Sequence, residues 1–227
     1  MSDNYKSNSF VEFILVDFAS DDGLKEWILA TFVKELDLGY LRYYYTEELK
    51  NWNASIAKNT SHLYASGEFV MNLDCDNFTG PDGALFVLKQ LERFGDNLLL
   101  HQFSGNLTDG SFGRIGSAKS YFLAVGGYDE TFAPMGYQDV DLINRLCEFG
   151  LNYVNASNPL YNKAIINTKT ESVQNTNSNM TWEEMDAQNL LISTKNYHDG
   201  KIVVNNGKIG IQVNVMAYAQ NLLTFIR

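Results

Sequence analysis

The chain has 227 residues, 45% of them hydrophobic and 19% charged, with a formal net charge of −10. That balance fits one α/β domain with a real core, excludes a disordered chain, and disfavours a nucleic-acid binder, which needs a basic surface. Two cysteines, Cys75 and Cys147, make no disulfide framework and fit a reducing compartment, while no apolar run reaches membrane-span length and MSDNYKSNS holds no signal-peptide core.

In chain order, residues 11–17 (VEFILVD) read as a buried strand. The acids of SDDG at 20–23 then cap an amphipathic helix through Leu24, Trp27, Ile28 and Phe32. Residues 40–45 (YLRYYY) form a second strand, and residues 52–64 a helix stopped at Ser66-Gly67. A strand at 69–73 leads into NLDCDN, followed by a helix at 82–94 that closes on Gly95. Residues 98–100 (LLL) are a strand and 139–149 a helix ending at Gly150. This order predicts a mainly parallel, Rossmann-like sheet flanked by helices, with ligands beyond the carboxyl ends of the strands. The Thr/Asn-rich stretch 168–181 reads as a mobile loop, 182–194 as a helix, and 203–209 as a hairpin turning on Asn206-Gly207. No linker or repeat divides the chain. One domain is expected over 1–227, with a nucleotide-binding part at 1–110, a catalytic part at 111–167 and a tail at 168–227.

Two stretches carry chemistry. In NLDCDN, Asp74 and Asp76 alternate at the end of a strand, so both can face one site, with Cys75 pointing back into the core. Paired carboxylates at a strand end suit water or a hard cation such as Mg²⁺ or Mn²⁺ bridging to phosphates. Two solvated loop acids would look the same. The second stretch, GGYDETFAPMGYQDVDLINRL at 126–146, runs from a two-glycine turn into a helix with Asp139 and Asp141 in its first turn. Helix capping alone would account for Asp141, and less well for Asp139. The sequon Asn77-Phe78-Thr79 beside the acidic pair favours a cytoplasmic location, since a glycan there would crowd the site.

The chain resembles GT-A-fold glycosyltransferases of the large family-2 type, near the branch with a galactosyltransferase-like C-terminal segment. The resemblance rests on VDFASDDGL (16–24), AKNTSHLYASGEFVMNLDCDN (57–77), GRIGSAKSYFLAVGGYDE (113–130) and GYQDVDLINRL (136–146), in the family's order. It implies that Asp17, Lys58 and Asn59 line a nucleotide-sugar pocket together with Asp74. Asp74 and Asp76 would hold Mn²⁺ or Mg²⁺. Gly126, Gly127 and the loop Met135, Gly136, Tyr137, Gln138 would shape the sugar and acceptor pocket, and Asp139 would be the general base. The implied activity is inverting transfer of a sugar, of galactose or N-acetylgalactosamine type, from a UDP-sugar to a glycan or lipid-linked glycan acceptor in surface polysaccharide synthesis. The location would be cytoplasmic, at the inner face of the membrane; the competing function is an inactive nucleotide-sugar-binding module.

Three departures stand out. The family has a strand and helix before the strand matched by 11–17, so the resemblance implies an N-terminally truncated sheet with an exposed edge prone to self-association. Its Glu-Asp pair is Gln138-Asp139 here. Its later metal-binding His aligns with Asn167, with His198 as the alternative ligand; His62 and His101 read as structural.

Overall fold

The computed structural model describes residues 1, 4, 10–157, 163–219 and 222–226. Two four-stranded sheets carry the chain. The first is ordered β1 (Phe13–Asp17), β2 (Leu41–Tyr45), β9 (Val215–Ala219) and β10 (Leu222–Ile226). The second is ordered β3 (Phe69–Met71), β6 (Ile115–Ala118), β5 (Leu98–His101) and β7 (Asn152–Asn155). A short ribbon pairs β4 (Asn77–Phe78) with β8 (Lys163–Ala164).

The sheets are mixed, which corrects the expectation of a mainly parallel one. Among the described residues only β1 with β2 and β5 with β7 run parallel; β3–β6, β5–β6, β2–β9 and β9–β10 are antiparallel. In the second sheet the reversal comes from β6, a four-residue strand (IGSA) with three small side chains and no bulky apolar alternation to mark it in sequence, and in the first from β9. Among the described residues β1 and β3 each pair on one side only. Glu12, just before β1, ties the two regions by accepting from the backbone nitrogens of Ser66 and Gly67 at 2.5 and 3.0 Å.

Helices α1 (Leu24–Thr31) and α2 (Val33–Asp37) cover the first sheet through Ile28 and Leu36 against Leu41 and Tyr43. Helix α3 (Ala54–Tyr64) is capped by Asn53, whose side chain accepts from Ile56 N. It packs Tyr64 on Tyr44 of β2 at 4.6 Å between ring centroids. The main core lies under the second sheet, where Val70, Leu99 and Ile115 meet Phe122 of α5 (Lys119–Ala124) and Leu142 and Leu146 of α6 (Gln138–Glu148). Helix α4 (Gly83–Phe94) lies near β5 and closes on Gly95 as expected.

The tail departs furthest from expectation. The supposed mobile loop holds α7 (Lys169–Gln174), started by a capping box between Thr168 and Glu171. Helix α8 (Trp182–His198) begins with a second box, Thr181 and Glu184, and runs four residues past its expected end, so His198 is its last residue. No hairpin forms at 203–209. Asn205–Gly207 is a single 3₁₀ turn because Asn205 spends its amide on Gly126 O, Tyr128 O and Glu130 N, and Val204 N bonds Val125 O. The hairpin of the tail is β9–β10.

Candidate functional site

Three of the expected residues, Lys58, Asp74 and Asp139, converge beside β3 and the head of α6, with Lys58 of α3 at the centre. Its ammonium donates to Asp139 Oδ1 at 2.8 Å and lies 3.7 Å from Asp74 Oδ1 and 5.3 Å from the Tyr128 ring centroid. Burial opposes its charge, but Asp139 and Asp74 outweigh that cost and hold it protonated well beyond the ordinary lysine range. Asp139 stands in the first turn of α6, as expected, and Lys58 links it to Asp74. Gly113 leaves room there, since a Cβ on it would stand 2.8 Å from Asp74 Oδ2.

The acidic pair is not the plain strand-end alternation read from sequence. The strand ends at Met71 and the chain turns at Cys75-Asp76, closed by Asn77 N to Asp74 O at 2.9 Å. The two acids therefore meet different neighbours. Asp74 accepts from Asn72 Nδ2 at 2.9 Å and faces Lys58; Asp76 accepts from Asn77 Nδ2 at 2.7 Å and Asn167 Nδ2 at 2.8 Å. Cys75 is exposed rather than turned into the core, because that turn carries its side chain outward. Asn167 thus reaches Asp76, whereas His198 sits at the far end of α8 with its ring near Tyr197. Among the described residues no three His, Cys, Asp or Glu side chains form a metal-binding group.

Two polar side-chain atoms are buried beside Asp139. Gln138 Oε1 has no hydrogen-bond partner among the described residues, although Gln138 Nε2 donates to Asp139 Oδ2 at 3.4 Å. The Tyr128 hydroxyl faces Asp139: burial pushes it far up, Lys58 draws it down, and Asp139 and Asp74 raise it again. An acceptor left unspent within a buried charged cluster marks a place where a ligand's donor can bond.

Several expected binding residues instead build the frame. Asp17 is 1% exposed and spends its carboxylate on Tyr43 Oη at 2.6 Å and Ser20 N at 2.8 Å. Asn59 is fully buried; its amide bonds Tyr128 O, Tyr128 N and Glu130 Oε1. Gly126 and Gly127 do not wall the cleft: a Cβ on them would meet Val204 O at 2.2 Å and Asn59 Oδ1 at 2.3 Å. Both have positive φ, so this close-packed turn, which aims Tyr128 at Lys58, needs glycine twice. Gly136 is likewise packed on the backbone of Asp186, while Tyr137 takes φ +59° to start α6.

Helix α8 supplies what sequence reading missed. Met185, Asn189, Ser193 and Asn196 form its buried stripe. Asn189 donates to the carbonyls of Ala133, Met135 and Gly136 and accepts from Ala133 N at 2.7 Å, so it clamps the loop before Asp139. Ser193 bonds Asp141, itself paired with Arg145, and Asn196 bonds Asp129. Asp141 is thus structural. The signal was present as an i, i+4, i+8, i+11 spacing, but in polar residues that a hydrophobic pattern ignores. No protein-family model matches this chain, and no curated protein and no solved structure is significantly similar to it.

Proposed function

We propose that the chain is a metal-dependent, inverting glycosyltransferase acting on a nucleoside diphosphate sugar, a UDP-sugar of galactose or N-acetylgalactosamine type, and the hydroxyl of a glycan acceptor in polysaccharide synthesis. What supports the reading is the triad Asp139–Lys58–Asp74, with the Tyr128 hydroxyl and the unspent Gln138 Oε1 beside it. In this reading Asp139 takes the proton of the acceptor hydroxyl as that oxygen bonds the anomeric carbon, and the bond to the diphosphate breaks with its electron pair leaving on the phosphate. Asp74, Asp76 and the Asn167 amide would hold Mn²⁺ or Mg²⁺, which supplies positive charge to the departing diphosphate. Lys58 adds the protein's own cation once it turns from Asp139 to the phosphate. Gln138 and Tyr128 orient the acceptor, and the loop Met135-Gly136-Tyr137 is held in place for it by Asn189.

The ion pair that occupies Asp139 favours one alternative, an inactive nucleotide-sugar-binding module. Turnover decides between them. Mn²⁺-dependent release of UDP from UDP-sugars should be measurable, and Asp139→Asn should lower it by about two to four orders of magnitude with donor affinity little changed. Release that is absent under all donors tested, with UDP still bound, selects the binding module.

A further inference from the structure

Arg114, next in the chain to the Gly113 that borders Asp74, is a buried cation behind the acidic turn. It is 2% exposed. Its guanidinium donates to Asn77 Oδ1 from both Nε and Nη2, at 3.3 and 3.1 Å, to Phe78 O at 2.9 Å and to Lys163 O at 3.3 Å. Burial works against that charge, and the carboxylates of Asp109 and Asp74 act the other way. One side chain thereby grips both strands of the β4–β8 ribbon, whose ladder continues from Ile165 N to Asp76 O at 2.6 Å.

The chemistry of this contact fixes what lies beyond it. A guanidinium only donates, so Asn77 must turn its amide oxygen to Arg114 and its amide nitrogen away. That nitrogen donates to Asp76 Oδ1 at 2.7 Å. The Gly110 loop closes over the amide, since a Cβ on Gly110 would stand 2.5 Å from Asn77 Oδ1 and 2.8 Å from Nδ2. Asn167 Nδ2 donates to the other oxygen, Asp76 Oδ2, at 2.8 Å. One amide thus pins each oxygen of the carboxylate, and an oxygen that accepts a single hydrogen bond keeps a lone pair for a ligand.

We propose that Arg114 is a positioning residue of the site, which sets the orientation of the Asp76 carboxylate through the Asn77 amide. The proposal rests on the transfer reading above, in which Asp76 serves the donor's diphosphate through a divalent ion. Arginine suits the task and lysine does not: a planar fork reaches acceptors on both strands at once, whereas a single ammonium at the end of a flexible stem cannot hold that geometry. The brace also links the two amides, because the strand it grips at Lys163 O leads on to Asn167.

The test is a double-variant cycle on Mn²⁺-dependent UDP binding, read by calorimetry, with Arg114→Lys, Asn77→Ala and the two combined. Each single variant should weaken UDP binding by about tenfold or more, the scale for removing a group that orients a metal-binding side chain. The combined variant should bind no more weakly than the worse single one, because both changes act through one amide. NMR of the unaltered chain, with neither metal nor UDP, should show the Asn77 side-chain amide protected from solvent exchange. Arg114→Lys should release that amide while the backbone amides of β5 keep their protection. Where Arg114→Lys fails to fold, Asn77→Ala carries the test, since it leaves Arg114 its bonds to Phe78 O and Lys163 O. Losses that add in the combined variant, UDP affinity unchanged in Asn77→Ala, or an Asn77 amide that exchanges freely in the unaltered chain would each overturn the proposal and leave the transfer reading standing. Absence of UDP binding by the unaltered chain removes that reading, and this role of Arg114 with it.

Discussion

Lys58 and Asp139 are joined at 2.8 Å, and the same ammonium lies 3.7 Å from Asp74. One lysine therefore holds together two acids that lie 65 residues apart in the chain and belong to different elements. Lys58→Met leaves both carboxylates facing each other without their cation. Thermal or denaturant unfolding should show a loss of roughly 3 kcal/mol, the scale for removing one partner of a largely buried pair. Added Mn²⁺ should restore part of it by neutralising Asp74. Unchanged stability would mean that the acids find solvent or another cation, and that the cleft is wetter than this geometry implies.

Asn189 is the link from α8 to the loop that delivers Asp139. Asn189→Ala removes every hydrogen bond between that side chain and Ala133, Met135 and Gly136. Stability should fall by about 2–4 kcal/mol, because buried carbonyls are left without partners. Hydrogen exchange at residues 133–139 should accelerate more than in β5. Uniform acceleration across the chain would instead show a general core defect.

His62 gives the stability a definite acid limb. It is buried, stacked on Phe122 at 4.6 Å, and its Nδ1–H donates to Lys58 O at 2.7 Å. Burial pushes its pKa down to about 4. The unfolded chain therefore binds a proton between pH 6.5 and about 4 that the folded chain refuses, so stability falls as pH drops through that window, by roughly 3 kcal/mol in all. His62→Gln should flatten that limb. A wild-type stability that is level from pH 7 to 4.5 would contradict the assignment.

Much of the frame was legible in sequence because it is written in apolar periodicity. The strands at 13–17 and 41–45 and the helices at 54–64 and 138–148 lie within two residues of their expected bounds. What escaped was written otherwise. The antiparallel strand β6 is short and built of small residues, and α8 buries Asn189, Ser193 and Asn196 while Leu191 and Tyr197 face water. Within the site, Asp74 was legible as one of two paired acids, Lys58 and the role of Asp139 came from motif resemblance, and the three do meet. Gly126, Gly127 and Asn59 belong to the same motifs, yet they act one layer back, because a tight turn and its buried amide partner are what aim Tyr128 at Lys58, and Asp17 spends its carboxylate on Tyr43 and Ser20 N. Sequence spacing places such residues near a site without saying whether they touch its ligand.

The central claim is that Asp76, with Asp74, binds a divalent ion together with a nucleoside diphosphate. Calorimetric titration of UDP into the chain with and without Mn²⁺, repeated for Asp76→Asn, tests it most directly. UDP binding should require Mn²⁺ in the wild type and be lost in Asp76→Asn, whose melting temperature should stay within a few degrees of wild type because, among the described residues, the Asp76 carboxylate bonds only the Asn77 and Asn167 side chains. Equal Mn²⁺-dependent affinity in both proteins, or UDP binding indifferent to the metal, would contradict it.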